Sequence, residues 1–231
     1  GDATRLIYVN ETGAVVLDGL TLENDRTGNG SYVVQAHSVV TNLIIRNCDI
    51  IGSATLGAIG ASAGAVGVVV ESSCRIRMNA GGATYISATA SIQCYAQVEL
   101  YGSAQAAHFI SNGSSAGYSI TYGGKHALYN INNYVIRCGA TNSASSITMH
   151  SSFRLVVVPT NYNRSCFDIQ DPTSFIVQPG AVIDTTNSTA VSDAEVWVRA
   201  KTGVSGSVNI SGLKIYRKSI VGYGIKIGDE S

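Results

Sequence analysis

Apolar and polar residues alternate along this chain in short runs, and one cadence returns. TNLIIRNCDI at residues 41–50 is echoed by VVVESSCRI at residues 68–76. In both, an apolar strand meets a polar corner and a second strand follows. Apolar residues at every second position predict half-buried β-strands, because successive side chains of a strand point to opposite faces. AQVELYG, GYSITYG, SFRLVVV, AEVWVRA and GLKIYR read the same way. Almost no stretch offers apolar positions at i, i+3, i+4 and i+7 over three turns, so helix is not expected.

One inward residue from each of nine strands gives Ile50, Ile76, Leu100, Ile120, Ile136, Leu155, Ile176, Val198 and Ile215, with separations of 16 to 26 residues and a mean of about 21. An earlier short strand and a polar corner precede most of them: LIIRN before CDII, ITMHSS before FRLVV, FDIQDPT before SFIV. Self-similarity at a period of this size is the mark of a solenoid. The expected fold is all-β, a single-stranded parallel β-helix of roughly ten coils of about 21 residues. It occupies residues 1–231 as one domain, or is part of a longer chain. At ~4.8 Å per coil this makes a rod ~45 Å long. A β-sandwich also explains frequent strands, but not a rung of paired strands.

Composition narrows the function classes. Fifteen basic side chains balance fifteen acidic ones, and charged residues are only 13% of the chain, so no net field favours nucleic acid. With 45% hydrophobic residues and no excess charge, the chain should fold. Its longest apolar runs, such as Val68 to Val70 and Leu155 to Val158, fall far short of the ~20 residues that span a bilayer. GDATRLIYVN lacks the basic and then apolar pattern of a signal peptide, which implies another route or an excised piece.

Cys48, Cys74, Cys94, Cys138 and Cys166 are widely spaced without CxxC pairing, so free thiols packed in the core are expected rather than disulfides or a zinc knuckle. Cys48 and Cys74 hold the same place in successive rungs, which would stack their sulfurs inside. The six N-x-S/T sequons carry little weight in a chain so rich in Ser and Thr. No phosphate loop, G-x-S-x-G elbow, HExxH or tight acidic cluster is present, so neither cofactor nor metal is expected.

VVLDGLTLEND followed by VVTNLIIRNCDIIGS resembles the coils of pectin-lyase-like right-handed parallel β-helix proteins, whose turns carry an L-x-I-x-N-x-x-I cadence. Within that group, the low charge, the Gly/Ala/Ser tracts, the irregular coils and the missing signal pattern are most similar to bacteriophage tailspikes and related tail appendages. The motifs are loose but cover nearly the whole chain. The resemblance implies a homotrimer on the virion tail, in the extracellular space, with a bacterial surface polysaccharide as partner. In many members that polysaccharide is cleaved by hydrolysis or elimination. Nucleic-acid binding and membrane insertion are not implied. No virion-attachment or C-terminal trimerisation domain is legible, a departure from the complete proteins. A non-catalytic trimeric shaft or adhesin and a free bacterial polysaccharide lyase or hydrolase stay open as other readings.

In such a fold, function falls to outward ladders and corners. The flanks of the inward residues place Asp49, Arg75 and Glu99 in adjacent rungs beside Arg77 and Tyr101, as a solvated salt-bridge ladder or a glycan groove. Val156, Phe175, Val177, Trp197 and Tyr216 form an outward apolar stripe, read as a subunit contact or, at Trp197 and Tyr216, a sugar-stacking surface. Aligning FDIQD with ITMHS sets His150 beside Gln170, and Asn130 and Asn132 extend that ladder one rung earlier. Asn130, Asn132, His150, Asp168, Gln170 and Asp171 are therefore the candidate strip for sugar contact. Asp168 and Asp171 are the candidate catalytic pair, since glycoside hydrolysis sets two carboxylates ~5–9.5 Å apart across the bond. Asp171 before Pro172 also reads as plain turn chemistry. Glu71, Glu99, Asp193 and Glu195 are further carboxylates, and the four dispersed histidines read as surface or capped residues.

Overall fold

The computed structural model describes residues 6–24, 32–52, 57–61, 66–79, 84–88, 91–101, 107–111, 118–129, 136–138, 145–157, 167–170, 172–187, 194–199, 206–217 and 222–228. The strands build three parallel sheets, and each coil supplies one strand to each sheet in turn. Sheet A stacks nine strands, from Ile7–Val9 to Tyr223–Ile227. Sheet B stacks eight, from Gly13–Asp18 to Ser207–Ile210. Sheet C stacks eight, from Thr21–Asn24 to Lys214–Tyr216. No helix occurs among the described residues. This is a parallel β-solenoid, as the rung motif predicts.

The core is a set of inward columns. In sheet C one column runs Leu22, Ile50, Ile76, Val98, His126, Leu155, Ile183 and Ile215. In sheet B another runs Leu43, Val68, Ile92, Ile120, Ile147 and Phe175. β-Branched side chains suit these positions because they are stiff and pack well on a pleated surface. Each fully buried aliphatic contributes ~1.5–3 kcal/mol of transfer free energy, which offsets the entropy of closing a coil.

Two expectations need correction. Residues of the sheet C column lie 22 to 32 positions apart, about 28 on average, not about 21. The ladders are eight or nine strands deep, not roughly ten. The nine inward residues chosen by pattern come from all three sheets. Ile120 and Ile176 lie in sheet B, Ile136 and Val198 in sheet A, and the other five in sheet C. Stepping between sheets within one coil shortens the apparent period.

The phase of one strand also needs correction. Ile176 points outward, 39% exposed, while Phe175 and Val177 fill the core. Against Ser145–Met149, strand Pro172–Val177 pairs Ser145 with Pro172 and then Ser146 with Ser174, so a bulge leaves Thr173 unmatched. Apolar residues occupy both phases of this strand, and a one-residue slip exchanges its two faces. The outward apolar stripe therefore does not form. Phe175 and Val177 are core, Val156 and Tyr216 belong to sheet C, and Trp197 belongs to sheet A.

Cys48 and Cys74 do stack at one inner position, as buried thiols preceding the paired residues Asp49 and Arg75. Cys48 Sγ donates to the Arg46 carbonyl at 3.1 Å and Cys74 Sγ to that of Ile45 at 3.2 Å. Cys94 is buried in sheet B, Cys138 lies on a sheet A strand, and Cys166 lies outside the described residues. Burial pushes the Cys94 thiol up to about 12. Iodoacetamide at about pH 8 is expected to leave Cys94 unmodified in the native protein and to label it fully in urea. Site-resolved mass spectrometry reads this, and native labelling at a free-thiol rate would contradict the buried placement.

Candidate functional site

Every coil passes from sheet B to sheet C through a tight corner. The chain bends there through left-handed backbone at Gly19 (φ 69°), Asn47 (φ 51°), Gly124 (φ 70°), Gly180 (φ 106°) and Gly212 (φ 63°). Glycine, and at some cost asparagine, are the residues that enter this region readily. The outward column along the corner reads Glu71, Tyr95, Gly123, His150 and Gln178. Backbone bonds hold it in step: Tyr95 N–H donates to Val70 O at 2.9 Å, Gly123 N–H to Cys94 O at 2.7 Å, and His150 N–H to Tyr122 O at 2.8 Å.

Gly123 removes one side chain from that column. The rings of Tyr95 and His150, two coils apart, close over the gap edge to face, with centroids 5.2 Å apart and planes at 87°. A Cβ on Gly123 would lie 2.5 Å from Tyr95 Cδ1, so the arrangement requires glycine. The result is an open notch of about 450 Å³ lined by Glu71, Ser72, Tyr95, Gly124, His150 and Ser152. Small-molecule sites commonly have a volume of this order.

Hydrogen bonds fix the polar groups of the notch. Gly124 N–H donates to Ser152 Oγ at 3.1 Å, and Ser152 Oγ in turn donates to His150 Nδ1 at 2.8 Å. Ser152 N–H also donates to His150 Nδ1, at 3.1 Å. A backbone N–H can only donate, so Nδ1 is the acceptor and the neutral ring carries its proton on Nε2. Behind the corner, buried His126 donates from Nε2 to the Gly123 carbonyl at 2.9 Å and packs against the rings of Tyr122 and Phe153. Burial lowers the His126 pKa to about 4, so the ring is neutral. The Gly123 carbonyl and the Gly124 N–H thus each have a side-chain partner.

Beside the notch, on sheet C, Gln97, Lys125 and Arg154 follow the corner in successive coils. Arg154 Nη1 donates to the carbonyls of Ser151, Phe153 and Gly180, bracing the corner of its own coil and the next. Farther along, Arg75 Nη2 reaches both Glu99 oxygens at 3.1 Å, Arg77 Nε donates at 3.2 Å and Gln97 Nε2 at 3.0 Å. Burial pushes the Glu99 carboxyl up, but the bonds and charges of the two arginines outweigh it and hold it below the usual range. Glu99 is therefore a fixed carboxylate, not a proton donor. Its direct ladder partner is Arg77, and Arg75 reaches it diagonally, so the charge ladder expected from sequence exists with its register shifted by two residues. Tyr101 and Tyr129 stack beyond it, 4.4 Å apart and parallel within 4°.

No protein-family model, curated protein or solved structure matches this chain. The site is read from its own chemistry.

Of the residues singled out by sequence, His150 sits in the notch. Asp168 and Gln170 lie in strand Phe167–Gln170 of sheet A, opposite Trp197 and Arg199 of the next coil. His150 follows a sheet B strand that pairs with Pro172–Val177, so the alignment of FDIQD with ITMHS does not hold and His150 is not beside Gln170. Asn130, Asn132 and Asp171 lie outside the described residues. Tyr216 is 51% exposed on the last strand of sheet C, in a coil remote from the notch. Sequence reasoning missed Tyr95, Gly123, Gly124 and Ser152. The signal was the Gly-Gly pair between two strands, where every neighbouring corner keeps an outward side chain.

Proposed function

We propose that this chain is a right-handed β-helix domain of a viral tail appendage, homotrimeric and extracellular, that binds a bacterial surface polysaccharide. The notch and the adjoining face of sheet C are the binding surface. The observation that carries this reading is the Tyr95–His150 pair braced over Gly123. A saccharide needs donors and acceptors at fixed angles together with an apolar edge for its C–H faces, and the notch offers all three. Its hydroxyl, imidazole and aromatic groups are held before any ligand arrives, which lowers the entropic cost of binding. Binding without cleavage is the activity favoured at this position. Hydrolysis needs two carboxylates, whereas the notch lining holds one, Glu71, and Asp168 belongs to sheet A.

Purified capsular and O-antigen polysaccharides, screened as an array and followed by calorimetry, test the reading. Tyr95→Ala is expected to weaken whichever polysaccharide binds by about tenfold, ~1.4 kcal/mol, with circular dichroism unchanged. Tyr216→Ala should leave affinity as it was. Equal binding by wild type and Tyr95→Ala, or no binding across the panel, would sink the proposal.

A further inference from the structure

Tyr101 and Tyr129 end the strands Gln97–Tyr101 and Lys125–Tyr129 of sheet C, at the side away from the corner. The two strands are parallel neighbours and pair Tyr101 directly with Tyr129. The preceding residues, Leu100 and Leu128, are buried, so alternation turns both tyrosines outward on one face. Identical side chains at paired positions of parallel strands then lie side by side. Their ring centroids are 4.4 Å apart and their planes agree within 4°. The strand spacing of ~4.8 Å imposes this contact, which is closer than the ~4.5–7 Å at which aromatic pairs usually settle. Among the described residues it is the one pair of stacked tyrosines; the rings of Tyr8 and Tyr95 meet histidines edge to face. Tyr101 is 37% exposed and Tyr129 half-buried, so one edge of the stack faces solvent.

We propose that this stack is an oxidative modification site, at which a one-electron oxidant joins Tyr101 to Tyr129 as dityrosine. The proposal goes beyond polysaccharide binding and does not depend on it. The oxidant is a ferryl haem formed from hydrogen peroxide. Each phenol gives up one electron and its hydroxyl proton, leaving a phenoxyl radical with unpaired spin on the ring carbons ortho to oxygen. Two ortho carbons, one from each ring, form the new C–C bond. The hydrogen on each of them then moves to the oxygen of its own ring, which restores both phenols. Hydrogen peroxide takes the two electrons and two protons and becomes two waters, so the linked chain is lighter by two hydrogen atoms. Coupling requires two radicals in contact, and the ring spacing is already within about 1 Å of the ~3–3.5 Å of a near-attack pair. The fold thus turns an encounter between molecules into a reaction within one. The link closes one full coil of 28 residues and ties it covalently to the next. Like other cross-links it restricts the unfolded chain, so it should raise resistance to urea.

A haem peroxidase with hydrogen peroxide, applied to the full chain at about 1–50 µM, tests this, because tethered groups meet at effective concentrations in the millimolar range. The monomer, isolated by size, is expected to carry dityrosine fluorescence at a yield independent of protein concentration. Mass spectrometry of its digest should join the peptides holding residues 101 and 129, with the loss of two hydrogens. Tyr101→Phe and Tyr129→Phe should each lower that monomer fluorescence at least tenfold. Phenylalanine preserves the stack, so their circular dichroism should match wild type. Tyr216→Phe removes a tyrosine that is 51% exposed and should leave the yield unchanged. The linked monomer should also unfold at a higher urea midpoint than the untreated one. A monomer without dityrosine, a link that maps to other tyrosines, fluorescence retained in both stack variants, or an unshifted midpoint would overturn the proposal.

Discussion

Gly124→Ala is expected to destabilise the domain by roughly 3–5 kcal/mol, a large share of the ~5–15 kcal/mol that typical domains possess. Two effects add. At φ +70° any Cβ meets the following carbonyl, which costs about 1–2 kcal/mol by itself. A Cβ at Gly124 would also lie well inside 3.0 Å of the backbone carbonyls of Tyr95 and Ala96 in the preceding coil. Backbone cannot rotate away as a side chain can, so the coils must part, and the bond from Gly123 N–H to the Cys94 carbonyl parts with them. Gly19→Ala supplies the control. It occupies the equivalent corner at φ +69° with nothing within 4 Å of its Cβ position, so it should show the conformational cost alone. Urea unfolding of the two variants separates the contributions. A Gly124→Ala loss no larger than that of Gly19→Ala would mean that the coils are not packed as described.

The same corner explains what was legible in the sequence. Alternation gave the strands, and the echo of TNLIIRNCDI in VVVESSCRI gave the solenoid, because a parallel coil must repeat its apolar positions to build inward columns. Coil length was misread because apolar alternation looks alike in all three sheets. Backbone conformation distinguishes them. Gly19 and Asn47 are 28 residues apart, Gly124 and Gly180 span two coils in 56, and Gly180 and Gly212 are 32 apart. Corner residues that must adopt positive φ keep the true period where aliphatic residues do not. The notch was harder to see because it arises from an absence. Gly123 matters through the side chain it lacks, and only the stacking of coils sets Tyr95 and His150 on either side of it. The alignment of His150 with Gln170 failed for the same reason as the coil count. Strand Ser145–Met149 belongs to sheet B and Phe167–Gln170 to sheet A.

Stability should fall as pH drops from about 6.5 towards about 4, and His126 is the cause. An unfolded histidine titrates near ~6.5, while the buried ring titrates at about 4. Above the unfolded value both states are neutral and the residue adds no pH dependence. Below it, the unfolded chain takes up a proton that the folded one excludes, so unfolding gains about 1.4 kcal/mol per pH unit until the folded pKa is reached. Over that window the loss amounts to about 3 kcal/mol. A histidine is retained in an otherwise aliphatic column because its Nε2–H satisfies the Gly123 carbonyl at the tightest corner of the solenoid. His126→Gln keeps a donor there without the titration. Urea midpoints at about pH 7.5 and 5 should therefore differ less in His126→Gln than in wild type, and carboxylates common to both proteins cancel in the comparison. Equal pH slopes in the two would show that His126 is not buried neutral. The predicted difference also links this residue to the site, since the carbonyl it holds belongs to the glycine that lets Tyr95 reach His150.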